Sequence, residues 1–146
     1  MATVKTILEK KGNQVYSVGP EQTVYEALMI LAEKEIGALL VMEGDKILGI
    51  FSERDYARKL VLKGFFSKEV LVKDFMTKDL ISESPQTDIF ECMSLMTKNR
   101  IRHIPIIDKD KLVGIISIGD LVSNIIHSQE ETIDSLKSYI QRGGYI

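Results

Sequence analysis

Two stretches carry the residue types best suited to chemistry: Gly49-Ile50-Phe51-Ser52-Glu53-Arg54-Asp55 and Gly114-Ile115-Ile116-Ser117-Ile118-Gly119-Asp120. Each runs from a glycine through two apolar residues into Ser-x-x-Asp. A Ser at a strand end with an Asp three residues later forms a capping box, in which hydroxyl and carboxylate satisfy free amides around the first helical turn. Capping explains one such motif by itself. It does not require the Gly-apolar-apolar lead-in to recur. Enzymic chemistry finds little else to work with: His103 and His127 are the only histidines, and Cys92 falls on the apolar stripe of a helix, the setting of a structural thiol. The chain holds no Gly-x-x-x-x-Gly-Lys-Ser/Thr loop, no Gly-x-Gly-x-x-Gly, no His-x-x-x-His and no Cys/His spacing of a zinc site. We read a non-enzyme, with no catalytic residue, no metal site and no catalytic cofactor.

The elements that must position these motifs are themselves repeated. Aligned at an offset of 65, Pro20 to Asp55 matches Pro85 to Asp120 without a gap. Identical pairs include Glu26/Glu91, Ile36/Ile101, Asp45/Asp110, Lys46/Lys111, Gly49/Gly114, Ser52/Ser117 and Asp55/Asp120, and many others exchange one apolar residue for another. This is a tandem duplication. Val24, Ala27, Leu28 and Leu31 recur at helical spacing behind the N-cap candidate Thr23, as do Ile89, Cys92, Met93 and Met96 behind Asp88. Apolar runs at 38–42 and 47–51, and again at 104–107 and 112–116, flank short polar turns and predict hairpins. Ser-x-x-Asp then opens a helix over 53–63 or 118–127. With first strands at 14–18 and 79–83, each repeat reads β-α-β-β-α. The fold class is α/β (α+β).

A unit of about 55 residues has a marginal core, so the two repeats are expected to pack their sheets together as one module. The expected divisions are 1–64 for the first repeat, 65–127 for the connector and second repeat, and 128–146 for a helical tail. The run Val70-Leu71-Val72-Lys73-Asp74-Phe75-Met76-Thr77 is too apolar for a free linker and should pack. In the tail, Ile133, Leu136 and Ile140 lie at helical spacing; Gln129-Glu130-Glu131-Thr132 marks an expected break with a fresh helix start, and Gly143-Gly144 the end.

Length and composition bound the rest. The 146 residues are 45% apolar and 27% charged, which excludes disorder and a collagen-like chain. A net charge of -2 gives no global positive field for a phosphate backbone, so nucleic acid is a disfavoured partner, with Arg100 and Arg102 the one local patch. A single cysteine fits a reducing compartment. No segment reaches the ~18 consecutive apolar residues of a membrane span, and the first residues lack a signal-peptide core. The expected setting is cytoplasmic, away from membranes.

With the repeated Gly-apolar-apolar-Ser-x-x-Asp, the Asp74-Phe75-Met76-Thr77 connector and Arg102-His103-Ile104-Pro105-Ile106-Ile107 in view, the sequence resembles a tandem pair of cystathionine-beta-synthase-type (CBS) domains, a Bateman module, over residues 1–127. Ser52-Glu53-Arg54-Asp55-Tyr56-Ala57-Arg58-Lys59 and the Gln129-Glu130-Glu131-Thr132-Ile133 tail look like the small stand-alone prokaryotic members. The resemblance implies a regulatory sensor that binds an adenine nucleotide, AMP, ATP or NAD, in clefts between the repeats, pairs as a homodimer and passes its state to a regulated partner. Asp55 and Asp120 would accept a ribose diol, and Ser52 and Ser117, beside free helix amides, would donate to phosphate. Tyr16, Ala38 and Leu39 would line the first cleft beside Gly37; Ile81, Ile104 and Pro105 would line the second, with Thr77 at the connector. Arg54, Arg58 and Lys59 in the first repeat and Arg102 and His103 in the second are candidates for phosphate. Gly37-Ala38 leaves room where Arg102-His103 supplies charge, so the second site is the stronger nucleotide site. The alternative is a dimeric interaction scaffold without a ligand.

Overall fold

The computed structural model describes residues 2–142. The element order is α1 (Val4–Lys11), β1 (Ser17–Val18), α2 (Val24–Lys34), β2 (Ala38–Glu43), β3 (Lys46–Ser52), α3 (Glu53–Asp55), α4 (Ile89–Asn99), β4 (His103–Asp108), β5 (Lys111–Ser117) and α5 (Ile118–Gln141). From α3 the backbone runs into a π-helical turn, Tyr56–Leu60, and a 3-10 turn, Val61–Lys63. Two compact units form: residues 14–81, and the described residues up to Asn13 together with those from Ser82 on.

Within each unit the helix and hairpin of the repeat are reproduced at aligned positions. Val24, Ala27 and Leu31 face one core, and Ile89, Cys92 and Met96 the other. The helices are capped as expected, the Thr23 hydroxyl accepting from the Glu26 amide at 3.1 Å and the Asp88 carboxylate from the Phe90 amide at 2.7 Å. Both end in left-handed residues at aligned positions, Glu35 (φ 54°) and Arg100 (φ 53°). The hairpins share their register, Ala38 opposite Ser52 and His103 opposite Ser117, and the same bulge, between Val41 and Met42 and between Ile106 and Ile107.

The first strands differ from expectation. In place of 14–18, only Ser17 and Val18 pair in parallel with β2, extended by the Leu40 amide donating to the Tyr16 carbonyl at 3.4 Å. In place of 79–83, only Glu83 bridges Ile106. The aligned partner of Leu40 is Pro105, which has no N–H to give, and the parallel ladder shrinks to what Glu83 can make.

A second symmetry was not anticipated. Thr3 bridges Asp88 as Leu71 bridges Thr23. The Val4 amide donates to the Thr87 carbonyl at 3.0 Å, and the Val72 amide to Gln22 at 2.9 Å. The Lys5 amide reaches Pro85 at 2.8 Å, and the Lys73 amide Pro20 at 3.1 Å. Residues 3–8 and 71–76 are therefore equivalent, each covering one repeat. The connector packs as expected, with Val72 buried in the first core and Phe75 and Met76 against it, so residues 65–81 group with the first repeat while α1 joins the second.

The tail also departs from expectation. Instead of breaking at 129–132, α5 runs unbroken from Ile118 to Gln141. Gln and Glu are good helix formers, and the Thr132 hydroxyl folds back on the Ser128 carbonyl at 3.1 Å rather than capping a new helix. The expected stop at Gly143-Gly144 lies outside the described residues. Among the described residues no helix is long and apolar enough to cross a membrane.

Candidate functional site

Both serines end a strand and both aspartates sit in the first turn of the following helix, in complete capping boxes. The Ser52 hydroxyl accepts from the Asp55 amide at 3.2 Å while the Ser52 amide donates to Asp55 Oδ2 at 3.0 Å. In the second repeat the matching distances are 3.1 and 2.8 Å. Capping is thus one role of both motifs, and what remains of each carboxylate decides what else it can do.

In each repeat a lysine answers the carboxylate, but from a different direction. Lys59 Nζ lies 3.0 Å from Asp55 Oδ1, and also donates to the Phe75 carbonyl at 3.1 Å and to the Thr77 hydroxyl at 3.3 Å. The Thr77 hydroxyl in turn donates to Asp55 Oδ1 at 3.1 Å. The π-helical turn places Lys59 there, and the Ile50–Thr77 bridge places Thr77. The Asp55 side chain retains 11% of its accessible surface. At Asp120 the cation comes from α1: Lys11 Nζ lies 2.6 Å from Oδ2 and donates to the Ile115 carbonyl at 2.8 Å. Asp120 keeps 23% of its surface, twice the share of Asp55. Burial would raise its carboxyl pKa, but the Lys11 ammonium and the Ser117 amide outweigh that and hold it below the usual value.

The match to known proteins agrees with this architecture. A family model described as CBS domain matches residues 4–62 and 72–127. The chain belongs to the CBS domain family. It is 38% identical to the mitochondrial CBS domain-containing protein CBSX3 of Arabidopsis thaliana, over 98% of this chain and 73% of that protein. It is 32% identical to the CBS domain-containing protein YhcV of Bacillus subtilis, over 85% of this chain and 86% of that protein. Among solved structures, a protein with CBS domains from Burkholderia ambifaria MC40-6 superposes with a TM-score of 0.85 at 47% identity, covering 88% of this chain and 96% of that one. CBS domains are regulatory, nucleotide-binding modules, and the tandem CBS fold with a C-terminal helix is the fold of this chain.

The remaining site candidates divide by CBS repeat. Gly37 accepts the Glu53 amide on its carbonyl at 3.0 Å, and Arg102 does the same for Ile118 at 2.9 Å, so these two residues aim the start of α3 and α5. Ala38 and Leu39 are buried on β2, as are Ile104 and Pro105 on β4. Leu39 and Ile104 have no accessible surface and belong to the cores. Each packs on the helices of its own unit. Tyr16 packs partly on the first core with Lys34 Nζ 5.2 Å above its ring. Ile81, expected at the second site, is the last residue of the first unit. Arg54 is half-buried on α3, and Arg58 and Arg102 are exposed. His103 is half-buried; burial, Lys11 and Arg102 push its pKa below 6.5 against an opposing pull from Asp120, keeping the ring neutral near pH 7.

Sequence reasoning missed Lys11 and, beside it, Lys10, Ser123, Asn124 and His127. The signal was present in the likeness of Thr3-Val4-Lys5-Thr6-Ile7-Leu8 to Leu71-Val72-Lys73-Asp74-Phe75-Met76, which puts α1 on the second repeat.

Proposed function

We propose that the chain is a regulatory adenine-nucleotide sensor, binding a ligand of the AMP, ATP or NAD class, with Asp120 accepting the ribose diol and Ser117 and the first amides of α5 meeting a phosphate. The observation that carries this is the Lys11–Asp120 pair: a partly accessible carboxylate at a helix start, held by one displaceable ammonium. A diol supplies two donors to such a carboxylate, and the helix start favours the negative charge that follows. Asp55, more enclosed and held by both Lys59 and Thr77, binds second. No catalytic step belongs to this reading; the bound state is passed to a regulated partner.

A thermal-shift panel of nucleotide-stripped protein with AMP, ADP, ATP and NAD tests it. A ligand at 100 times its Kd stabilises the fold by about 2.7 kcal/mol. A selective rise in Tm supports the sensor, and a flat panel at millimolar ligand removes it.

The second reading, a dimeric scaffold, is favoured by one surface. Val122, Ile126, Ile133, Leu136 and Ile140 are exposed along α5. They alternate at steps of four, seven, three and four, with isoleucines in one heptad register and valine and leucine in the other, the pattern of a two-stranded coiled coil. The occupant this seam fits is α5 of a second copy, and dimerisation is compatible with ligand sensing.

A further inference from the structure

Along α5, Asp120, Ser123, Asn124 and His127 share one face at helical spacing, and with Lys10 and Lys11 at the end of α1 they line a cleft of about 640 Å³ within the second unit. Its chemistry is lopsided. Two ammoniums, a hydroxyl and an amide supply donors beside the Ile7 side chain, against the Asp120 carboxylate at one end, which Lys11 already pairs, and the Glu131 carboxylate at the other. Lys10 makes no ion pair among the described residues. His127 is steadied by Glu131, whose carboxylate lies 2.9 Å from Nε2. From Asp120 to His127 the helix rises about 10.5 Å. Such a donor-rich, elongated cleft beginning at a diol acceptor fits a chain of phosphates.

We propose that this cleft holds the outer phosphates of a nucleotide whose ribose engages Asp120 and whose first phosphate meets Ser117, so that the second repeat selects nucleoside triphosphates over the monophosphate and the nucleoside. The inference rests on the nucleotide reading above and names its ligand class. When the ribose hydroxyls reach Asp120, Lys11 Nζ leaves Oδ2 for a phosphate oxygen, and the Asp120 carboxylate exchanges a charged donor for two hydroxyl donors. Lys10 adds a second ammonium, and Ser123 and Asn124 donate from the facing helix. The first repeat is built otherwise: Arg58, Lys59 and Leu62 occupy the positions aligned with Ser123, Asn124 and His127, and its lysine is tied to Asp55, Thr77 and the Phe75 carbonyl. Triphosphate selectivity therefore belongs to the second repeat.

Calorimetric titration of the full-length protein with adenosine, AMP, ATP and inorganic tripolyphosphate tests this. The probe variants are Lys10→Met with Lys11→Met, which keep the apolar stems, and Ser123→Asp, which leaves the Lys11–Asp120 pair in place and keeps the test open if the double variant fails to fold. Wild type is expected to bind ATP at least about tenfold tighter than AMP, the change one charge-assisted contact confers, with tripolyphosphate competing. Either variant is expected to lower the ATP-to-adenosine affinity ratio about tenfold. If nucleotides bind and that ratio does not move, the cleft is not the phosphate subsite, while the nucleotide reading stands. If tripolyphosphate binds and no adenine compound does, the nucleotide reading falls and this inference with it.

Discussion

Adding one methyl group at Gly49 and at Gly114 separates two kinds of close packing at aligned positions. A Cβ on Gly49 would stand 2.7 Å from the Thr77 carbonyl oxygen, 2.8 Å from Met76 Sδ and 3.0 Å from Met76 Cγ. On Gly114 it would meet Leu8 Cδ2 at 2.6 Å and Cδ1 at 3.3 Å. Leu8 offends with the tip of a rotatable side chain, whereas Thr77 offends with backbone that exchanges two hydrogen bonds with Ile50, at 3.0 and 2.8 Å. Relieving Gly49→Ala must shift that backbone, costing about 1–3 kcal/mol of overpacking and part of two hydrogen bonds of about 1 kcal/mol each, roughly 2–4 kcal/mol together. Gly114→Ala needs only a new Leu8 rotamer, about 1 kcal/mol. The unfolded-state entropy gain from Gly to Ala is common to both and cancels in the comparison. Urea denaturation followed by circular dichroism gives the difference as a shift in midpoint at constant slope. Equal stability of the two variants, or a less stable Gly114→Ala, would refute the argument that 71–77 is fixed backbone on the first repeat.

Other outcomes follow from the same geometry. His103 is expected to titrate below pH 6.5 in NMR spectra and, because Lys11 is one of the cations depressing it, to titrate higher in Lys11→Met. The stability tied to the neutral ring is present above pH 6.5 and lost as pH falls through the lower folded value. Cys92 is buried on α4, and burial, then Glu83, Glu91 and Asp88, push its thiol up to about 11; at pH 8 a thiol reagent should leave it untouched in native protein and label it once urea unfolds the chain. The α5 seam proposed above predicts a dimer for wild type and a 16.5 kDa particle for Ile133→Lys with Leu136→Glu in light scattering, without a lower Tm at low concentration; equal masses for the two would exclude α5 as the contact.

How far the sequence reaches follows from where each interaction is encoded. Helices at 24–34 and 89–99, both hairpins and both capping boxes depend on neighbours within a few residues, and their apolar period and cap residues are visible at once. The failed strand at 79–83 turns on a proline absent from its own segment, Pro105 across the sheet. The unbroken α5 kept polar helix formers where a cap was expected, because Thr132 bonded within the helix. Leu39 and Ile104 are apolar and next to the motifs, and their place in the cores follows from the same strand period. Lys11 lies more than a hundred residues from Asp120, and only the packing of α1 brings them together. The duplicated chain hides this, since each repeat borrows its covering segment from the stretch that precedes the other.

The most direct measurement is a ¹⁵N-labelled titration with ATP of wild type and Asp120→Asn, the latter retaining a capping oxygen while losing the charge and one acceptor for a diol. The account predicts saturable shifts at the Ser117, Gly119, Asp120 and Lys11 amides in wild type, and affinity at least about tenfold weaker in the variant. Saturable shifts that persist unchanged in Asp120→Asn, or no shifts at the start of α5 at millimolar ATP, would contradict it.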